Sequence, residues 1–480
     1  MPGEQFDIGI LGGGSAGLTV AAAAAQLGAK TLLVDKSALG GDCLYCGCVP
    51  SKTLIRSAKV YHDAKRMAGY GLPPADVPPV YFPALVERIR SVIRAIERRD
   101  SPERFCSLGA RVEIGNPVFS DEHSIRMNGK TFSSRTWVIS TGSSAAIPSI
   151  PGLDRAHYLT NRDIFSLERL PASLIVIGGG PIGIEMGQAF SRLGTSVEII
   201  QHSGQILDRE DPDMAGRLQE VLAAEGIRIH LAAAVESVRD IGHAREATVR
   251  IGGETREIRA EALLVAAGRT ANLEGLGLER LGIRFDRRGL ALDERLRTDL
   301  KHIYGAGDVT GNFLFTHSAG YEGGIVISNA VFRLPRKLDY TFMPWCTYTD
   351  PELASIGMNE KRAAAAGVKY SVWTEEFADN DRALAEGEAA GRIKMILNER
   401  EKPIGVQILG SRAGELLGAW VAALNGKVRL STMASAVQPY PTLAEISRKV
   451  TGDVLARKLF SDTVRKGLKF FFSLRGRACP

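Results

Sequence analysis

One pattern, strand then glycine turn then helix then strand, occurs twice in this 480-residue chain. Apolar runs that end in further glycine turns follow each copy, and the texture changes near residue 340. These three observations predict an α/β fold of two doubly wound units with a separate α+β C-terminal domain.

The composition suits such a fold. Hydrophobic residues make up 45% and charged residues 24%, the balance of a soluble globular protein. No apolar run approaches the roughly 20 residues needed to cross a bilayer. The first residues lack a basic leader, so a cytoplasmic location is expected. There, clustered cysteines act in catalysis or metal binding more often than as structural staples. Net charge is +6, but the nine Lys/Arg and two Asp from Arg448 onward make the tail +7 and leave the first 447 residues at −1. The body therefore gives no reason to expect nucleic-acid binding.

In chain order, FDIGIL (6–11) reads as a buried strand, GGGSAG (12–17) as a turn, TVAAAAAQLG as a small-residue helix and TLLVDK as a second strand reaching Asp35. In this setting G-x-G-x-x-G is informative. Gly12 permits the tight turn, Gly14 lets a pyrophosphate approach the backbone, and Gly17 lets helix and strand pack closely. The helix N-terminus faces the phosphates, and Asp35 can accept from a ribose hydroxyl. LIVIGGGPIGIEMGQAF (174–190) repeats the pattern with Gly178, Gly180 and Gly183, and SVEIIQ supplies the next strand. The sequence thus predicts two Rossmann-like dinucleotide-binding domains and, with two such cofactors, electron transfer between them. VISTGS (138–143) and LLVAAGRT (263–270) close the two units, placing Thr141, Gly142 and Gly268 at cofactor turns. HIYGAGDVTG (302–311) brings Asp308 to a further strand end.

Residues 41–54, GDCLYCGCVPSKTL, hold three of the six cysteines. Cys43 and Cys48 form a C-x4-C spacing with Cys46 inside. Pro50-Ser51-Lys52 reads as a helix start, and thiols at a helix N-terminus are good thiolates. A zinc clip is the rival, but a structural zinc needs four ligands and no second Cys/His pair at metal spacing follows, so no metal site is expected.

GGDCLYCGCVPSK resembles the segment GGTCLNxGCxPSK of the flavoprotein disulfide reductases, or class I pyridine nucleotide-disulfide oxidoreductases, among them glutathione reductase, lipoamide dehydrogenase and mercuric reductase. GGGSAG with Asp35, GGGPIGIE, YGAGDV, YTDPELASIG and FADNDRALAE are similar to other segments of that family, so the resemblance spans nearly the whole chain. It implies FAD in residues 1–150 and 271–340, NADH or NADPH in 151–270, and a homodimerisation domain in 341–480. It implies that electrons pass from NAD(P)H through flavin into a Cys43–Cys48 disulfide, with Cys48 next to the flavin and Cys43 attacking a small-molecule or protein disulfide. Lys52 and Glu185 match a pair near the flavin, where a lysine favours the reduced, anionic form.

The departures bear on the substrate. Where glutathione reductase and lipoamide dehydrogenase carry HPT-x-x-E, this chain reads QPYPTLAE. Tyr440 replaces the acid/base histidine and Glu445 is kept; a tyrosine near its ordinary pKa of about 10 is a weak base. Mercuric reductase is similar in having tyrosine there, but it ends in two cysteines, and this chain ends with one, Cys479. Cys46 is expected to pack rather than to serve as a third active thiol, as are Cys106 and Cys346. Strand SVEIIQHS ends in Gln201-His202, with neither the acid that favours NADH nor the arginine that favours NADPH. Pro181 stands where some relatives have a gating tyrosine.

Residues 454–474 place Val454, Leu455, Leu459, Phe460, Val464, Leu468, Phe471 and Phe472 at roughly helical spacing among basic residues. A helix packed on the C-terminal domain is expected, with peripheral membrane contact through 454–480 as the sharper alternative. The expected activity is NAD(P)H-dependent reduction of a disulfide or thiol-reactive species. A mercuric or metalloid-ion reductase is the rival enzyme, and a membrane-tethered redox sensor without a dedicated substrate is the rival of another class.

Overall fold

The computed structural model describes residues 4–476; Cys479 lies outside them. Two compact units account for the chain, one running to Ile206 with Ala223–Asp339, the other comprising Leu207–Leu222 with Tyr340 onward.

In the first unit the opening elements are β1 (Glu4–Leu11), α1 (Ser15–Gln26), β2 (Thr31–Asp35), α2 (Gly41–Tyr45), α3 (Cys48–Lys65), α4 (Phe82–Glu97) and α5 (Pro102–Ser107). Next come β3 (Ala110–Ile114), β4 (Val118–Asp121), β5 (Ser124–Met127), β6 (Lys130–Ile139) and β7 (Ser143–Ala145). β1 lies between β2 and β6, parallel to both, with Ile10 opposite Leu33 and Val138. β3 continues the parallel edge and β4 and β5 fold back antiparallel. Ile10, Leu33 and Val138 are fully buried, as expected of parallel strands covered on both faces. The alanines of α1 let that helix pack closely against the sheet, and Ala16, Val20, Ala21 and Ala24 join one core with Ile325 and Val326.

The second repeat is β8 (Ser173–Ile177), α6 (Pro181–Leu193), β9 (Ser196–Ile200) and β10 (Arg228–His230), with α7 (Pro212–Ala224), most of which belongs to the other unit, between the last two in sequence. A three-stranded meander follows, β11 (Ala233–Ile241), β12 (Ala244–Ile251) and β13 (Glu254–Ala260). Then come β14 (Ala262–Val265), β15 (Arg269–Ala271), β16 (Ile303–Gly305) and α8 (Thr316–Ala330). β10, β9, β8 and β14 make a parallel sheet, so LLVAAGRT closes the second repeat as its apolar run predicts. β16 returns to pair with β6, which puts the start of GDVTG at the edge of the first sheet. β7 and β15 form a separate two-stranded ribbon.

The C-terminal unit contains β17 (Pro344–Thr347), β18 (Glu352–Gly357), α9 (Glu360–Ala365), β19 (Tyr370–Glu376), α10 (Asp381–Glu386), β20 (Arg392–Asn398), β21 (Pro403–Gly410), α11 (Ala413–Asn425), α12 (Leu430–Ser435), α13 (Glu445–Leu459) and α14 (Asp462–Phe472). The strands form one antiparallel sheet in the order β17-β18-β21-β20-β19. Trp420, Ile446, Val450 and Val454 of the helices join the apolar residues of the sheet in one core. Lys394 on β20 is fully buried, with its ammonium 3.0 Å from Asp211, 2.7 Å from Asp213 and paired with Glu360. Burial pushes its pKa down, but the three carboxylates outweigh burial and hold it above the ordinary value.

Three expectations change. The helix expected at Pro50 begins two residues earlier, with Cys48 in its first turn. The tail is two helices with a break at Phe460-Ser461, and none of α14 is buried within the chain; Phe470, Phe471 and Phe472 are 81%, 78% and 71% exposed. A six-residue turn of helix carries Cys106 to the surface, so it is not a packing residue. Cys346 does pack against the C-terminal core.

Candidate functional site

Both glycine turns are built as tightly as their spacing predicts. Gly12 has φ +109°, and a Cβ on Gly17 would stand 1.9 Å from the Gly12 carbonyl oxygen. In the second repeat Gly178 has φ +117°, and a Cβ on Gly183 would stand 2.0 Å from the Gly178 carbonyl oxygen. No side chain other than hydrogen fits there. Each turn is tied to the end of the next strand. Asp35 Oδ2 accepts from the Gly13 amide at 2.7 Å, and Gln201 Oε1 accepts from the Gly179 amide at 2.8 Å. Gln201 is 8% exposed and its Nε2 donates to the Gln205 carbonyl, whereas His202 is exposed. A Cβ on Gly180 would meet nothing within 4 Å and one on Gly14 only the Gly41 Cα at 3.9 Å, so each turn leaves its backbone approachable and the two cradles fit a dinucleotide each.

The cysteine loop lies against the first cradle, since a Cβ on Gly41 would meet the Gly14 Cα at 2.8 Å. Cys43 sits in the first turn of α2 and Cys48 in the first turn of α3. Thr316, opening α8, brings its hydroxyl 3.5 Å from Cys48 Sγ. The hydrogen bond between the two thiols sets their order of ionisation. It draws Cys48 down to about 6, helped by Thr316 and Lys52 against the effect of burial, and pushes Cys43 up. Lys52 Nζ donates to Glu185 Oε2 at 2.7 Å, and Glu185 is 5% exposed. Lys52 and Glu185 come from helices that lie against each other, α3 and α6, so both repeats reach the thiols.

Behind the loop runs a polar chain. Asp42 accepts from Arg269 at 2.9 Å and from Asn161 at 3.2 Å, and Asn161 also donates to the Cys46 carbonyl at 3.0 Å. Arg269 Nε donates to Ser143 Oγ at 2.6 Å, and that hydroxyl donates to Asp308. Burial pushes the Cys46 thiol up, Asp42 adding to this and Arg162 opposing it. Its neighbours are thus a different set from those of Cys43 and Cys48. Thr141 Oγ1 donates to the Asn272 carbonyl at 2.6 Å, and Gly142 and Gly268 take φ of +70° and +125° at their turns.

The C-terminal unit carries the remaining candidates. Tyr440 and Glu445 line one open cavity of about 350 Å³ with Asp379, Asp381 and Lys449. Tyr440 is 71% exposed and donates to Asp381 Oδ2 at 2.8 Å, which holds its pKa above the ordinary value. Glu445 opens α13 and pairs with Arg448 at 3.6 Å.

Residues 6–323 match the pyridine nucleotide-disulphide oxidoreductase family and residues 343–450 its dimerisation domain. The chain belongs to this family. A mercuric reductase from Staphylococcus aureus is 33% identical over 445 residues, covering 92% of this chain and 81% of that one. A dihydrolipoyl dehydrogenase from Chlorobaculum parvum is 32% identical over 465 residues, covering 95% and 98%. Among solved structures, the Cu(II) complex of the HOCl-induced flavoprotein disulfide reductase RclA from Escherichia coli superposes with TM-score 0.83 at 25% identity, covering 94% and 100%. As a pyridine nucleotide-disulphide oxidoreductase, the chain is an FAD- and NAD(P)H-dependent oxidoreductase with the α/β fold its sequence predicts. No described helix is long and apolar enough to cross a membrane.

Sequence reasoning did not pick out Thr316 or Asn161, which have no motif spacing around them, or Ser143, although it ends the segment VISTGS. Asp42 could have been found, because it differs from the threonine of the family segment. Arg269 stands inside LLVAAGRT and could have been flagged as a charge ending an apolar run.

Proposed function

We propose that the chain acts as a homodimer that reduces a disulfide or another thiol-reactive acceptor, with Cys48 as the electron-receiving thiolate and Cys43 as the thiol that meets the acceptor. One observation carries this reading: two hydrogen-bonded thiols with oppositely displaced pKa values beside a 2.7 Å Lys52–Glu185 pair. FAD, when bound, supplies the two-electron relay between nicotinamide and sulfur. Gly12, Gly14, Gly17, Asp35 and Asp308 would hold it, and Gly178, Gly180 and Gly183 would hold the nicotinamide nucleotide. Lys52 places positive charge by Cys48 and so favours its thiolate near neutral pH; Thr316 offers that sulfur a hydrogen bond. The match to the dimerisation domain over 343–450 supports the homodimer. Anaerobic reduction with NADPH or NADH, followed by a panel of disulfides read at 340 nm, tests the reading. Long-wavelength thiolate-to-flavin absorption lost in Cys48→Ser is the expected result, and a wild type without that band overturns it.

A second reading takes a thiophilic metal ion as the acceptor. It is favoured by Tyr440, whose hydroxyl is committed to Asp381 and is a poor base; a metal ion transferred between thiolates needs less proton delivery than a thiol leaving group. Mercury-dependent NAD(P)H oxidation in excess thiol is its test, and turnover on disulfides with none on mercury rejects it.

The finer localisation proposed is contact of α14 with an anionic lipid surface. Val464, Leu468, Phe471 and Phe472 fall on one side of that helix with Arg465, Lys466 and Lys469 beside them, the pattern of an interfacial helix. Full-length chain is expected to sediment with phosphatidylglycerol vesicles and Phe471→Asp/Phe472→Asp to stay in solution. Equal sedimentation of the two rejects the contact.

A further inference from the structure

Cys43 lies in α2 and Cys46, three residues on, is the residue that closes it, just outside the helix with φ −136° and its amide bonded to the Asp42 carbonyl. Residues three apart across one turn are near neighbours, and a disulfide needs Cβ atoms about 3.5–4.5 Å apart. A small movement of the loop would therefore let Cys43 bond to Cys46, its nearer neighbour in sequence, instead of Cys48. The chain holds Cys46 in place at its carbonyl. Asn161 Nδ2 bridges that carbonyl, at 3.0 Å, to the Asp42 carboxylate, at 3.2 and 3.3 Å. Arg269 grips the same carboxylate at 2.9 Å and is itself fixed to Ser143 by bonds of 2.6 and 2.9 Å. The Asp42 and Arg269 side chains are only 30% and 12% exposed. The family segment has threonine where this chain has Asp42, and asparagine where it has Tyr45, whose hydroxyl ties the other side of α2 to Glu97 at 2.8 Å.

We propose that the Asp42–Arg269 pair divides the three thiols of the loop, holding Cys46 apart so that Cys43 bonds to Cys48 alone. Asp42 and Arg269 are positioning residues in this account, which rests on the reading of Cys43 and Cys48 as the exchange pair. The reaction they prevent is a thiol–disulfide exchange. The Cys46 thiolate would attack Cys43 Sγ, a Cys43–Cys46 bond would form as the Cys43–Cys48 bond breaks, and Cys48 would leave as a thiolate. One disulfide replaces another with no net oxidation, and the thiol beside Lys52 is disconnected from the exchange thiol.

Two measurements on the flavin-loaded enzyme test this. The first maps disulfides by mass spectrometry after oxidation and rapid alkylation. The second follows iodoacetamide labelling of Cys46 in the reduced enzyme. Wild type is expected to show the Cys43–Cys48 bond, and Asp42→Asn to show an added Cys43–Cys46 bond. Asp42→Thr, which restores the family's residue, is the second variant should Asp42→Asn not fold. Labelling of Cys46 is expected to rise about tenfold in Asp42→Asn, where Arg269 is left to favour the thiolate. It is expected to rise less in Arg269→Met, where Cys46 is also released but Asp42 is left to oppose its thiolate. Labelling unchanged in both variants overturns the proposal, as does a variant map identical to wild type. A wild-type map lacking the Cys43–Cys48 bond would sink the exchange-pair reading, and this proposal with it.

Discussion

The two glycine turns are the same device with different charge. In each, the residue 22 positions beyond the glycine that follows the first of the fingerprint, Gly13 or Gly179, accepts that glycine's amide hydrogen, at 2.7 Å for Asp35 and 2.8 Å for Gln201. In each, the third glycine lies against the first one's carbonyl. The geometry of the turn therefore asks only for an acceptor oxygen, and an amide serves as well as a carboxylate. The charge at that position is free to be set by the nucleotide. Where the repeats diverge is in what they add: the first carries the thiol loop, while the second contributes a single buried carboxylate, Glu185, to the same chemistry.

The largest effects should come from filling the cradles. Gly17→Val is expected to give a chain that purifies without flavin colour. Gly183→Val should keep its flavin but lose at least about a hundredfold in the rate of reduction by NAD(P)H, read by stopped flow at 450 nm. If both variants came out colourless, the two turns would not serve separate nucleotides. Changing charge without changing shape is expected to do less. Gln201→Glu should shift the NADH-to-NADPH ratio of kcat/KM about tenfold toward NADH, since a carboxylate repels a 2′-phosphate and accepts from a 2′-hydroxyl. Asp35→Asn should weaken flavin binding by about tenfold, the loss of one charge-assisted hydrogen bond. An unchanged nucleotide ratio in Gln201→Glu would mean that this side chain, held by Gly179 and Gln205, does not reach the ribose.

The smallest expected effect tests the point where the repeats meet. The hydrogen bond with Cys43 draws the Cys48 thiol down to about 6, so its thiolate is expected to be present at pH 8 and lost as pH falls through 6. Lys52 lowers that midpoint and Glu185 raises it. Glu185→Gln should therefore move the midpoint down and Lys52→Met should move it up, as read by the pH dependence of Cys48 alkylation. A shift in the same direction for both would show that the pair acts through packing rather than charge.

Much of this was legible because it depends on local pattern. The period of the strands, the glycine spacing and the C-x4-C segment each determine structure within about 30 residues, and Lys52 and Glu185 were named from a resemblance that fixes both ends of the pair. What escaped depends on contacts between distant segments. Thr316 reaches Cys48 across 268 residues and Arg269 reaches Asp42 across 227, and no periodicity encodes such meetings. The tail misled for a different reason. Its apolar spacing continues through Phe460, but Ser461 begins a new helix, and spacing alone does not distinguish an apolar side packed on its own chain from one left uncovered.

The ammonium of Lys394 occupies the centre of three carboxylates whose oxygens lie within 4.8 Å of one another, Asp211 and Asp213 from one segment and Glu360 from another. Such a trio repels itself unless something positive sits in its midst. Replacing Lys394 by methionine would leave a hole of suitable charge and oxygen chemistry for a divalent ion. The melting temperature of that variant should then climb with added calcium while the parent's stays flat, making an inorganic ion do the work of one amino-acid side chain.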